Sequence, residues 1–296
     1  MYNPQLETFL RVAEAGSFNK AAEQAFITPT AVIKQINLLE HSLQVRLFER
    51  THRGLSLTAA GQSLAKDAKY IIQYCKDSET RARNAMQEDT NIIRIGTSPI
   101  TPAQLLLELW PQIHAICPDI KFQLVPYINT LENAKEILAN LGRNIDVVTG
   151  IFDETMLTLR HCAGFAISRE PLCCAVSLHH PLAEKPRLSI EDLYGQRLLL
   201  MHRGWSLYVD RLRDDLWKNH PQVEIVDFDF YDVGIFNHCE NSSDILMATR
   251  NMANIHPLLK IIPVDWEHTI PYGLLHSPKP SKTVQRFLTA LQQIAD

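Results

Sequence analysis

The sequence lacks any apolar run near the ~18 residues that span a bilayer, so no membrane helix is expected. It opens Met1-Tyr2-Asn3-Pro4-Gln5 with no secretory leader pattern, which places the expected chain in the cytoplasm. Six cysteines, at 75, 117, 162, 173, 174 and 239, contain no Cys-x-x-Cys spacing. In a reducing compartment they read as small buried apolar residues rather than a disulfide framework. Gly-x-Ser-x-Gly, the phosphate loop and His-Glu-x-x-His are all missing, which removes the motifs of three large enzyme classes. No solenoid-length repeat and no low-complexity segment occurs. Positive charge is also scarce, with a formal net charge of −4 over 296 residues. The deficit is uneven: residues 1–58 carry six Lys/Arg against five Asp/Glu, residues 59–88 five against four, and residues 89–296 eighteen against twenty-four. The acid lies in the C-terminal part, so a nucleic-acid contact by the N-terminal part is not opposed by its own neighbourhood.

What is present begins at Gly16. Ser17 caps a short helix from Phe18 to about Gln24, with Ala21, Ala22 and Ala25 as small packing residues. A second helix opens on Thr28 as cap and Pro29 at the first position, where a missing N–H costs nothing. Val32, Ile36, Leu39 and Leu43, spaced by four, three and four, predict its buried stripe. Thr30, Ile33, Lys34 and Asn37 occupy the other face. Two short helices, the second with a polar, cationic face, form a helix-turn-helix layout. Upstream, Asn3 and Pro4 start a supporting helix that buries Leu6, Phe9, Leu10 and Ala13. Downstream, Leu47–Arg50 and Leu55–Leu57 predict two strands around Thr51-His52-Arg53-Gly54, a wing with Arg50, His52 and Arg53 near its tip. Cations there suit phosphate or minor-groove contact.

The run Phe9…Ala15-Gly16-Ser17-Phe18…Ala21-Ala22…Gln35-Ile36…Leu39-Glu40…Val45-Arg46-Leu47-Phe48-Glu49-Arg50…Leu57-Thr58-Ala59-Ala60-Gly61 resembles the LysR-type transcriptional regulators. Three positions depart from that family's habit. Pro29 replaces a Gln, Ile33 replaces a Ser, and Gln44 replaces a Gly, the last expected to be harmless. The resemblance implies a linker helix that dimerises the DNA-binding ends, then an effector domain similar to periplasmic solute-binding proteins.

The residues themselves agree. Thr58 caps a polar helix reaching about Glu88, a rod of roughly 45 Å. Leu64, Ala68, Ile71, Cys75, Ser78 and Ala82 alternate spacings of four and three, which predicts a pairing seam with a second copy. From residue 89 strands and helices alternate in an α/β pattern. Expected strands include 92–96, 122–126, 144–150, 172–176, 197–201, 224–230, 235–239 and 260–264, with helices at 131–141 and 243–250. The expected organisation is a winged helix-turn-helix (1–58), a linker (59–88), one lobe from 89–161 and 269–296, and a second from 162–268.

In such a fold ligands sit at strand carboxyl ends, near helix N-termini. Thr97, Ser98, Thr101, Asn129, Thr130 and Phe152 hold those positions in the first lobe, and His202, Arg203 and Trp205 in the second. Hydroxyls opposing one arginine and an aromatic suit a small carboxylate with an apolar body. Arg203 is the expected cation, unless a neighbouring acid such as Asp227 pairs with it. His238 and Glu240 would share a strand face but are too few for a metal, and no cofactor is expected.

The reading is a sequence-specific regulator, not an enzyme. It binds double-stranded DNA as a homodimer or homotetramer, answers to a small-molecule effector, and has RNA polymerase as a candidate partner. Ser17, Thr28, Pro29, Thr30, Ile33, Lys34, Asn37, Arg50, His52 and Arg53 are the expected DNA contacts, and Leu64, Ala68, Ile71 and Cys75 the dimer contacts. Two alternatives stay open: a redox or metal sensor on the same frame, and a solute-binding or catalytic α/β domain whose first helices serve only assembly.

Overall fold

A computed structural model describes residues 2–51, 54–86 and 91–295. The chain forms two compact units, residues 1–88 and 89–296.

In the first unit, α1 (Gln5–Ala15) starts where the Asn3 side chain accepts a hydrogen bond from Gln5 N at 3.0 Å, and ends at Gly16 with φ +61°. Next come α2 (Phe18–Ala25) and α3 (Pro29–Leu43). Val32, Ile36 and Leu39 of α3 join Phe9, Val12 and Leu47 in one core. Leu43, expected in that stripe, is exposed, and Glu40 goes inward instead. Its carboxylate accepts from the backbone N–H groups of Leu47 (2.7 Å) and Phe48 (3.2 Å) and pairs with Arg46 at 3.2 Å. A buried carboxylate with three donors is stable, and it anchors the strand that follows. That strand, β1 (Phe48–Thr51), pairs antiparallel with β2 (Gly54–Leu57).

The Thr58 hydroxyl then accepts from Gly61 N (3.0 Å) and donates to Arg46 O (2.6 Å), starting α4 (Ala59–Met86). Gly61 is obligatory there, because a Cβ would lie 2.2 Å from the Leu47 carbonyl oxygen. The 28 residues of α4 make a rod of roughly 42 Å. Gln44, expected to be harmless, takes φ +55°, a conformation that strains any residue with a Cβ.

The second unit runs β3 (Ile92–Thr97), α5 (Gln104–Ile116), β4 (Lys121–Pro126), α6 (Leu131–Ala139), β5 (Val147–Ile151), α7 (Glu154–Leu159), β6 (Ala163–Ser177), β7 (Arg197–Met201), α8 (Leu207–Asn219), β8 (Glu224–Phe228), α9 (Val233–Glu240), β9 (Ile245–Thr249), β10 (Leu259–Pro263), β11 (Thr269–His276) and α10 (Lys282–Ala295). Its strands hydrogen-bond in the order β4-β3-β5-β11-β6-β9-β7-β8, with β10 also on β6. One end is parallel (β3 with β4 and β5), and so is the other (β7 with β8 and β9). Between them β6 and β11 run antiparallel and serve both lobes. Each parallel end has its own core, one around Ile93, Leu106 and Phe287, the other around Leu198, Leu246 and Phe236.

Several expected elements differ. The strand expected at 235–239 is helix α9, and the helix expected at 243–250 is strand β9. Asp232 caps α9 by accepting from Ile235 N at 3.0 Å, and Phe236 and Cys239 bury one side of it. All five residues of β9 are buried, which is why its apolar run carried no period to tell strand from helix. His238 and Glu240 therefore do not share a strand face, and His238 Nε2 bonds Asp244 at 2.7 Å. Thr101 does not cap α5, which begins at Gln104.

Candidate functional site

On the first unit the Thr28 hydroxyl accepts from Ala31 N at 3.2 Å, with Pro29 at the helix start, so α3 begins sharply. Thr30, Lys34 and Asn37 are exposed beside it, Ile33 is half-buried, and Leu38 adds an exposed apolar side chain. Ser17 occupies the cap position of α2 without a side-chain cap bond. Arg50 stands opposite Leu55 in the wing register; its side chain, and the whole of His52 and Arg53, lie outside the described residues. The arrangement offers donors, a cation and an aliphatic group on one helix face, the set that reads base edges in a major groove.

On α4, Ala68 is fully buried and Ile72 nearly so, both in the core shared with α1, and Leu64 is half-buried against that core. Ion pairs Lys69–Glu14 (3.1 Å) and Lys76–Glu7 (3.2 Å) hold the same two helices together. Leu64 and Ala68 therefore serve their own unit rather than a free seam, a correction to the pairing face. The large apolar side chains that α4 leaves exposed, among the described residues, are Tyr70, Ile71 and Tyr74, with Cys75 half-buried.

The second unit encloses a cavity of about 650 Å³ between its lobes, reaching beneath α6 and α7. Of the expected effector residues, Thr101, Asn129, His202 and Trp205 line it. The others do not. Thr97 ends β3 off the cavity wall, and Thr130 caps α6 by accepting from Asn133 N at 3.2 Å. Phe152 is buried in a small core, its ring in the space a Cβ on Gly164 would need. Ser98 sits just behind the wall, its hydroxyl 2.7 Å from that of Thr101, which also bonds the Tyr127 hydroxyl. Burial pushes the Tyr127 phenol up, against the pull of those two neighbours.

Arg203 faces away. Its guanidinium pairs with Asp214 at 2.5 Å, both well exposed, while Asp227 is taken by Arg213 at 2.6 Å. Gly204, at φ +85°, donates to both Asp210 carboxylate oxygens, and this turns the loop so that Trp205 enters the cavity and Arg203 does not.

The half-buried cation on the cavity wall does not stand at any expected position. Arg160 closes α7 and lines the wall, and its side chain has no hydrogen bond or ion pair among the described residues. Burial pulls its guanidinium below the ordinary arginine value, opposed by Cys162 and Asp153 nearby. Asp153 is itself a second missed residue. It is 4% exposed; one oxygen accepts from Met156 N (2.8 Å) at the start of α7, and the other accepts from Leu207 N (2.8 Å) at the start of α8. One carboxylate thus caps two helices from opposite lobes. Asn129 Nδ2 donates to Tyr231 O at 2.9 Å, a second bond across the cleft. The signal was readable at Asp153-Glu154, an acid at a cap position with another in the first turn.

Five of the six thiols are buried and Cys75 is half-buried. Burial raises Cys162, Cys173 and Cys174, and lifts Cys239 to about 11, so these stay protonated at neutral pH. Among the described residues no group of three or more His, Cys, Asp or Glu could hold a metal, and no helix is long and apolar enough to cross a membrane.

Comparison with known proteins follows the same division. Residues 4–62 match the family model of the bacterial regulatory helix-turn-helix protein, lysR family, and residues 86–295 that of the LysR substrate binding domain. The chain is 25% identical over 287 residues to the hydrogen peroxide-inducible genes activator of Haemophilus influenzae, covering 94% of this chain and 87% of that one. It superposes on the crystal structure of CbnR, a LysR family transcriptional regulator, with TM-score 0.60, 20% identity and all of both chains covered. Full-length CbnR with its target DNA gives TM-score 0.57 at 21% identity, covering 99% of each chain. This chain belongs to the LysR family of DNA-binding transcriptional regulators, with a helix-turn-helix unit followed by an effector-binding α/β domain.

Proposed function

We propose that this regulator is switched by an organic anion seated between its two α/β lobes, with Arg160 as the anion's partner. The supporting observation is a guanidinium on the cavity wall that burial disfavours and that no carboxylate hydrogen-bonds among the described residues, the nearby Asp153 carboxylate being taken by the amides of Met156 and Leu207. A desolvated charge of that kind gains most from an ionised ligand. Cys162, Cys173, Cys174 and Cys239 argue against a peroxide sensor at their positions, since burial suppresses the thiolate that such chemistry needs. DNA is read by Thr30, Ile33, Lys34 and Asn37 in a major groove, with Arg50, His52 and Arg53 of the wing on the backbone or minor groove. The regulator works in the cytoplasm as a homo-oligomer joined through the exposed Tyr70-Ile71-Tyr74 side of α4, and it catalyses nothing.

The test is binding-site selection from random duplex DNA, followed by footprinting of the selected site in the presence and absence of metabolite mixtures. The expected result is a protected site whose pattern changes with an anionic fraction in the parent and not in Arg160→Gln. A protected site that no fraction alters, or an Arg160→Gln variant that still responds, would remove Arg160 from the switch. Absence of any protected site would remove the DNA reading.

A further inference from the structure

Helix α6 is amphipathic, yet none of its residues is buried. Its apolar side, Ala134, Ile137 and Leu138, looks into the cavity, and Val148 and Met156 line the same space. Ile137 and Leu138 pack on one side against a small core around Val148 and Phe152, and their cavity-facing atoms lack such contacts, so an occupant that is itself apolar gains the most there. At about 650 Å³ the space equals roughly twenty water volumes, far more than a two- or three-carbon acid fills.

The polar groups on the wall narrow the class further. The Thr101 hydroxyl is bonded to Ser98 and Tyr127, that of Thr149 donates to Pro102 O at 3.1 Å, and the Asn129 amide donates to Tyr231 O. His202 Nδ1 lies 3.0 Å from its neighbour's carbonyl, and Asn251 bonds Thr249. A sugar, polyol or nucleotide would bury many hydroxyls here against partners already engaged, which is costly. Arg160 has no such engagement among the described residues, and Lys135 on α6 adds an exposed cation on the same wall. The lobe-two wall carries Asp229, which repels a second negative charge.

Resting on the effector reading above, we propose that the ligand is a monocarboxylic acid with a long apolar body, its carboxylate on Arg160 and its body in the chamber beneath α6. The lobes then close on a ligand identified by one charge and by the volume of its apolar part.

The experiment is calorimetric titration of the full-length protein with butanoate, hexanoate, octanoate and decanoate, and with the matching primary alcohols. Affinity of the acids is expected to rise roughly fourfold per added methylene, as burial of each CH₂ predicts. Each acid is expected to exceed its alcohol by at least about tenfold, as a charge-assisted contact requires. Arg160→Gln should erase the preference for acids and keep the dependence on length. Ala134→Trp should fill the chamber, flattening the length series while butanoate binding persists, and an unchanged melting temperature shows that the variant is folded. A flat series in the parent, equal binding of acids and alcohols, or no binding of decanoate overturns the proposal. Arg160-dependent binding of citrate with no binding of decanoate would overturn it and leave the anionic-effector reading standing. A cleft that takes no anion, on a protein whose DNA footprint answers to peroxide, would overturn both.

Discussion

Helix α3 opens on Thr28 and helix α6 on Thr130, and in both the threonine hydroxyl accepts from the backbone N–H three residues on, at 3.2 Å in each. Both carry aliphatic residues at helical spacing. Beyond the cap they diverge. Val32, Ile36 and Leu39 of α3 are 0–2% exposed in a closed core, whereas no residue of α6 is fully buried: Ile137 and Leu138 touch a small core on one side and line the cavity on the other. The difference lies beneath the helix and not in its own sequence. A hydrophobic stripe says which way a helix faces, but not whether protein or ligand completes the contact. In α3 the apolar face builds the scaffold so that the polar face can meet DNA. In α6 the apolar face is itself part of the cavity wall.

The largest test of that contrast is truncation of matching isoleucines. Ile36→Ala should lower the stability of the first unit by about 2–5 kcal/mol, while Ile137→Ala on α6 should cost about 1–2 kcal/mol, because Ile137 is half-buried and packs against its core on one side only. Calorimetric melting of the full chain measures both, and equal losses would mean that α6 packs as α3 does. Next comes Glu40→Ala, which strands two backbone donors and unmoors β1; a loss of about 2 kcal/mol and weaker DNA binding in gel shift are expected. A normal DNA affinity would show that the wing is held without it. The caps should then behave alike: Thr28→Ala and Thr130→Ala should each cost about 1 kcal/mol by denaturant titration, since the bond is the same in both. A twofold disparity would mean that the cavity already weakens α6 at its first turn. The smallest effect concerns the helix ends. The chain leaves α6 through Gly142 at φ +92° but leaves α3 through Gln44 at φ +55°. Gln44→Gly should raise the melting temperature of the first unit, by up to about 1 kcal/mol of stability. A fall would show that the Gln44 side chain makes a contact worth more than the strain.

Legibility in the sequence follows the same line. The first unit was readable because its signals are local: Thr28-Pro29 opens a helix and Gly16 closes one, whereas the close approach of Gly61 to the Leu47 carbonyl shows only in the structure. Glu40 escaped because a buried carboxylate looks like a surface one until the N–H groups of Leu47 and Phe48 are placed around it. The α/β alternation was readable, and so were the strand ends that supply Thr101, Asn129, His202 and Trp205. The exchange of α9 and β9 was not, because Ile245–Thr249 is buried on both faces and shows no period. Arg203 and Arg160 show the limit most plainly. Both are single arginines near predicted ligand loops, and only the turn at Gly204, fixed by Asp210, sends one to solvent. The cavity could not be read at all, since a space is a property of what surrounds it.

Asp153 carries a consequence for how the second unit responds in time. Its two oxygens hold the first turns of α7 and α8 together, so the cleft cannot widen at that point by degrees. Either both helix starts share the carboxylate, or α8 keeps only its Ser206 cap and the Leu207 amide turns to water. Opening there frees the amide of Leu207 while that of Met156 stays bonded, so Leu207 should exchange its hydrogen faster than Met156, at a rate that a bound ligand slows.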